Sequence, residues 1–243
     1  MTMENATSSS HSEEQLRMKK MAMDRWLSVP EREASVAGIT DEQLLFELAM
    51  TAGHNGLTDA HIARIAADRV QSPDYLLTIA MCAYDYEASE AAVACLDDDC
   101  LLIRILSELE QHTEKWALDR ENGDNITRLE QELKIDVSDK IREVSLLVEP
   151  ALMDPGDHLL GISAKENYIR RLAENPEVLL TYVQREKDGL SLAMVADMTT
   201  DRRVLEHIAS CEGDSWIRDA RKQALSKLEV METHSEDHMG GTE

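Results

Sequence analysis

The chain has 243 residues, 43% of them hydrophobic, and a formal net charge of -23. It can bury a sizeable core, but bulk electrostatics will not hold it on DNA, RNA or an anionic membrane. One Phe, three Trp and five Tyr leave that core to aliphatic and small side chains, and five Pro and ten Gly seldom interrupt it; helix-on-helix packing suits this composition and a β-sandwich does not.

Residues 1–13 are polar and Ser-rich and predict a disordered tail. The expected organisation after it is an N-terminal helical subarray over 14–149, with an irregular insertion near 107–149, and a junction loop at 150–162 around a Pro-Gly turn. A C-terminal subarray over 163–230 and a flexible acidic tail over 231–243 complete it. Gln15 to Trp26 predict a helix anchored by Leu16, Met23 and Trp26, and Pro30 predicts a turn. Thr40 or Asp41 can cap a helix carrying Leu44, Leu45, Leu48 and Ala49. Gly53 to Gly56 end it, and Thr58 or Asp59 can cap the return helix with Ile62, Ile65, Ala66 and Val70.

Tyr75, Leu76, Ile79 and Ala80 open the next hairpin, and Ala88, Ala91, Ala92, Cys95 and Leu96 close it. Asp97, Asp98 and Asp99 then stand where carboxylates favour the positive end of a helix carrying Leu101, Leu102, Ile105 and Leu106. They lack the alternating spacing and glycine of a calcium loop. Beyond 107 the pattern turns strongly polar, with Val137, Ile141, Val144, Leu147 and Val148 as scattered anchors.

The short rhythm resumes with Tyr168, Ile169 and Leu172, then Val178, Leu179, Tyr182 and Val183, then Leu192, Ala193, Val195, Ala196 and Met198. In the last hairpin, Val204, Leu205, Ile208 and Ala209 form one stripe. A Cys-Glu-Gly-Asp-Ser turn leads to a second, of Trp216, Ile217, Ala220, Ala224, Leu225 and Leu228. Leu77 lies 25 residues before Leu102 and Leu179 lies 26 before Leu205, intervals that fit two short helices and two turns. The expected fold is therefore all-α: stacked antiparallel helical hairpins forming an irregular α-solenoid.

Residues 73–102 and 201–228 resemble short bacterial members of the HEAT and armadillo helical-repeat group. Ile208-Ala209 and Ile217-Arg218-Asp219-Ala220 follow that group's pattern, Ile79-Ala80 follows its first half, and Glu90-Ala91-Ala92 lacks its arginine. The resemblance implies a scaffold, inhibitor or adaptor surface. It also implies that Arg218 hydrogen-bonds across adjacent repeats.

No active-site constellation stands out. His54, Asp59 and His61 lie across a turn without a nucleophile, and Asp154, Asp157 and His158 read as a solvated turn. His234 and His238 belong to the tail, while Glu42 with Glu47 and Glu87 with Glu90 occupy solvent-face positions. No metal or cofactor is implied. Cys82, Cys95, Cys100 and Cys211 form no CxxC pair and are expected as buried free thiols of a reducing compartment. No leader-like segment or apolar run of about 18 residues appears, so a cytoplasmic chain off the membrane is expected.

Residues 41–110 carry fourteen Asp or Glu against three Arg. Such a surface is either a solubilising face, a dock for a basic protein, or a mimic of nucleic-acid charge aligned over residues 59 to 99 that antagonises a nucleic-acid-binding protein. The leading reading is a protein-interaction or adaptor module, with Asp97, Asp98, Asp99, Glu87, Glu90, Trp216 and Arg218 as candidate binding residues. A helical enzyme with an unrecognised pocket is the other alternative. Trp216 also reads as a core wedge, and Trp26 and Trp116 as packing or end-covering residues. The turns near Gly53, Asp85, Asp188 and Gly213 are expected at a shared edge, and a monomer is expected ahead of a homodimer.

Overall fold

The computed structural model describes residues 12–52, 57–83, 85–111, 123–153 and 164–239. Among them are fourteen α-helices, one short 3-10 turn and no strand. The chain forms two compact units, Met1–Ile105 and Leu106–Glu243. Most of the N-terminal tail, the Gly53 to Gly56 turn, His54, Trp116 and residues 154–162 of the expected junction lie outside the described residues, and Pro150 to Met153 are helical.

Unit 1 contains α1 (Glu13–Met23), α2 (Val29–Gly38), α3 (Glu42–Thr51), α4 (Leu57–Ala67), α5 (Pro73–Cys82), α6 (Tyr86–Cys95) and the start of α7 (Asp99–Gln111). Helices this short are marginal alone and hold their shape by packing an apolar face on neighbours. α1 with α2, α3 with α4 and α5 with α6 form hairpins; α1, α3 and α5 stack as one layer, and α2, α4 and α6 as the other. The second layer packs through small side chains, with Ala60, Ala63, Ala66 and Ala67 of α4 and Ala88, Ala91 and Ala92 of α6 all buried. In the first layer Phe46 and Tyr75 stack with ring centroids 4.6 Å apart.

Two features at the start of unit 1 differ from expectation. α1 ends at Met23, because the Asp24 carboxylate accepts the Trp26 N–H at 3.0 Å and turns the chain. Of the supposed anchors Leu16 is exposed and Trp26 is 96% exposed, and Ala22 is instead the buried residue of α1. Pro30 opens a helix rather than marking only a turn: it occupies the first turn of α2, and the Glu31 carboxylate accepts from the Ser28 N–H and hydroxyl at 2.9 and 2.7 Å. The Ser28-Val-Pro-Glu31 signature announces α2 in the sequence.

Unit 2 contains α8 (Gly123–Lys140), a 3-10 turn (Val144–Leu147), α9 (Val148–Met153), α10 (Ala164–Leu172), α11 (Pro176–Val183), α12 (Gly189–Met198), α13 (Arg202–Ser210) and α14 (Ser215–Met239). It uses the same two-layer plan. α8, α10, α12 and α14 stack in one layer, and α9, α11 and α13 in the other. α8 packs on α10 through a mixed face, in which Leu133 and Val137 are buried beside Gln131, Lys134 and Ser138. Gln131 Oε1 accepts the Ala164 N–H at 2.9 Å, and Asn167 donates to Ser138 Oγ at 2.8 Å and Asp139 Oδ1 at 2.9 Å. α14 continues as helix past Val230 to Met239, since residues 215–239 contain no Gly or Pro and Arg202 ties to Glu232 at 3.2 Å.

One bonding device recurs. Arg69, just past α4, donates to the carbonyls of Val36 and Ile39 at the end of α2, 33 and 30 residues earlier. Arg171 of α10 donates to Ser138 and Ile141 at the end of α8, again 33 and 30 residues earlier, at 2.6 and 2.7 Å. Lys227 of α14 reaches the carbonyls of Asp197 and Thr199 at the end of α12. In these three pairs a cation on, or just past, the later helix satisfies the last carbonyls of the parallel helix before it, groups that a helix cannot satisfy internally.

The two units also match in order of signals. A shift of 102 residues relates Arg69 to Arg171, and a shift of 103 relates Pro73 to Pro176, Asp85 to Asp188 and Asp98 to Asp201. The prolines open α5 and α11, and the two aspartate pairs after them cap α6 and α12, then α7 and α13.

Candidate interaction surface

In unit 1 the turns that follow α2, α4 and α6 lie at one edge. Two cross-links demonstrate this: Arg69 bonds the end of α2, and Glu42 at the start of α3 accepts the N–H groups of Gln71 and Ser72 before α5. The Leu96 to Asp98 turn falls at the same edge, because α6 stacks parallel to α4. Glu42, expected as a plain solvent-face carboxylate, is therefore a staple between two turns.

Seven carboxylates stand on this edge, Asp41, Glu42, Asp68, Asp74, Asp97, Asp98 and Asp99. Asp68, Asp74, Asp97 and Asp98 are exposed and the other three half-buried. Local chemistry explains the placement. Asp41 caps α3 by accepting from Leu44 N–H at 3.3 Å, Asp98 accepts from Cys100 N–H at 2.8 Å at the start of α7, and Glu42, Asp74 and Asp99 occupy first turns where the helix end is positive. Several short helices starting at one edge therefore gather negative charge there.

The other predicted binding residues fall elsewhere. Glu87 and Glu90 are half-buried in the first half of α6; Glu87 lies about 15 Å from Asp97 along the helix direction. Trp216 and Arg218 belong to unit 2. Trp216 is 58% exposed, so it is no core wedge. Its backbone is what packs: a Cβ on Gly189 would stand 2.6 Å from the Trp216 Cβ and press on the backbone of Ile217. That contact also places the Asp188 and Gly213 turns together at one edge of unit 2, as anticipated for those two. Arg218 is exposed, and the cross-repeat bonding expected of it belongs to Arg69, Arg171 and Lys227.

The polar groups weighed for catalysis have structural partners. Asp59, expected as a cap, is 3% exposed and pairs with the equally buried Arg32 and, at 3.4 Å, with Arg25; it does not join the surface carboxylates in a single line over residues 59 to 99. His61 Nε2 meets Glu33 at 2.6 Å. In unit 2 the buried Lys165 Nζ lies 3.2 Å from Glu186 Oε2, which also accepts the Tyr182 hydroxyl at 2.6 Å, while Glu186 Oε1 accepts the N–H groups of Lys187 and Asp188. Burial, reinforced by Glu186, holds the Tyr182 hydroxyl protonated far above its ordinary range. This cluster closes the corner of α10, α11 and α12 and has no exposed reactive group.

Asp154, Asp157 and His158 lie outside the described residues, and the side chains of His234 and His238 are likewise not described. Among the described residues no group of three or more His, Cys, Asp or Glu could hold a metal ion, and no helix is long and apolar enough to cross a membrane. The thiols depart from expectation: Cys82, Cys95 and Cys100 are exposed and only Cys211 is partly covered. They sit in the last or first turns of their helices, off the packing face. No family model, no curated protein and no solved structure matches the chain.

Proposed function

We propose that this chain is a protein-interaction scaffold, and that the acidic edge of unit 1 docks a cationic segment of a protein partner. The observation that carries this reading is the gathering of seven carboxylates on one edge held by rigid turns. Arg69 and Glu42 lock neighbouring turns to each other, so a partner meets charges already in position and little side-chain order is lost on binding. The stacked two-layer architecture agrees with the HEAT and armadillo resemblance of residues 73–102 and 201–228, whose members work by surface recognition. Exposed free thiols fit a reducing, cytoplasmic setting.

Affinity capture from the native extract tests the reading. The chain should retain a stoichiometric protein at low salt and release it at high salt. An Asp68→Asn/Asp74→Asn/Asp97→Asn/Asp98→Asn variant should retain none, although asparagine still serves as a cap at position 98. Equal recovery by both chains would rule the edge out.

A further inference from the structure

The outward side of α14 carries charge that unit 2 does not use. Ala220 and Ala224 are fully buried and define its inner face; at 3.6 residues per turn Arg218, Lys222 and Leu225 lie around the opposite side together with Asp219 and Glu229, and Arg221 lies on the flank. The three cations are exposed and Leu225 is 43% exposed. Among the described residues none of the three has an ion-pair partner. Nearby cations are engaged: Arg202 with Glu206 and Glu232, Arg203 with Glu177 and Asp201, and Lys227 with two carbonyls. The stripe is about 10 Å long and stands on the last helix of a chain whose net charge is -23.

Charge complementarity selects what can cover it. The outer side of α1 is mixed, with Glu13 and Glu14 exposed beside Arg17, Lys20 and Leu16. Joining α14 to its own equivalent in another copy sets like charges together. The acidic edge of unit 1, with its seven gathered carboxylates, is a surface of opposite sign. We infer that the cationic partner of the acidic edge is the α14 stripe of a second copy of this chain. The inference rests on the docking role proposed for that edge, and it replaces the monomer expected from sequence.

Such a contact joins two different surfaces, so copies add in series until a ring closes or a filament grows. Its salt dependence is distinctive. At about 10 mM salt, where screening reaches roughly 30 Å, two chains of like net charge repel as wholes. At about 150 mM the reach is roughly 8 Å and the local attraction prevails; at about 1 M it is roughly 3 Å and the attraction is lost.

Sedimentation velocity of the full chain at these three salt concentrations provides the test. The average mass should rise with protein concentration at the middle salt and fall towards the monomer at both extremes. An Arg218→Glu/Arg221→Glu/Lys222→Glu variant and an Asp68→Lys/Asp74→Lys/Asp97→Lys variant, each with unchanged circular dichroism, should associate at least about tenfold more weakly alone. An equimolar mixture of the two should regain association, because each then meets its complement. A wild-type chain that is monomeric throughout, or association indifferent to the stripe reversal, overturns the inference. Octalysine titrated in parallel separates it from the docking role: a monomer that binds octalysine through its edge loses only the second-copy contact, whereas failure of both removes the edge as well.

Discussion

Glu186 shows at the residue scale how a short loop holds three helices. Its carboxylate takes the Tyr182 hydroxyl, two backbone N–H groups and the Lys165 ammonium, all in a site nearly closed to water. Removing one partner of a buried pair leaves the other charge stranded, which costs about 3–5 kcal/mol. Glu186→Ala should lose that much by urea unfolding, whereas Lys165→Met/Glu186→Leu should lose far less; equal losses would mean that the pair is not the cause. Titration gives a second check. Burial raises Asp85 above the ordinary 3.8. Burial also pushes Asp188 upward, but hydrogen bonds from Ser191 and Leu190 and the nearby Lys165 outweigh it and lower the group. Asp201 is lowered chiefly by its hydrogen bond from Arg203. The α12 and α13 caps therefore lose stability as pH falls below about 4, while Asp85 favours folding more as pH falls through its raised midpoint, at higher pH than the other two. Carboxyl NMR midpoints should lie below 3.8 for Asp188 and Asp201 and above it for Asp85.

Individual helices depend on close approach and on borrowed caps. A side chain at Gly189 would meet the backbone at the start of α14, so Gly189→Ala should displace α14. Hydrogen exchange should show α12 to α14 opening while α3 to α6 stay protected; uniform protection would contradict that packing. Arg171→Ala should cost about 2 kcal/mol, because it strips charged donors from two carbonyls at the end of α8. These elements also mark what the sequence discloses. Stripes such as Leu44, Leu45, Leu48 and Ala49, or Val204, Leu205 and Ile208, are apolar in the chain and buried in the fold, and periodicity finds them. α8 is only partly visible to the same test: Val137 and Leu133 are buried, but so are Glu130, Gln131, Lys134 and Ser138, polar residues whose partners on α10 and within α8 are invisible to hydropathy. Trp216 misleads in the opposite way: its ring looks like core, yet the backbone beside Gly189 does the packing.

Across the described residues, two units execute one plan of stacked hairpins. The acidic edge was partly legible, since Asp97, Asp98 and Asp99 are consecutive, but their neighbours Asp41, Glu42, Asp68 and Asp74 join them only through the stacking of α2, α4 and α6. Glu87 and Glu90, close to them in sequence, belong to the first half of α6. Docking of a cation-rich segment by that edge can be read by calorimetric titration of octalysine into the full chain. Octalysine should bind at low salt, weaken steeply as salt rises, and bind at least about tenfold more weakly to the Asp68→Asn/Asp74→Asn/Asp97→Asn/Asp98→Asn variant. Equal heats from both chains would contradict it.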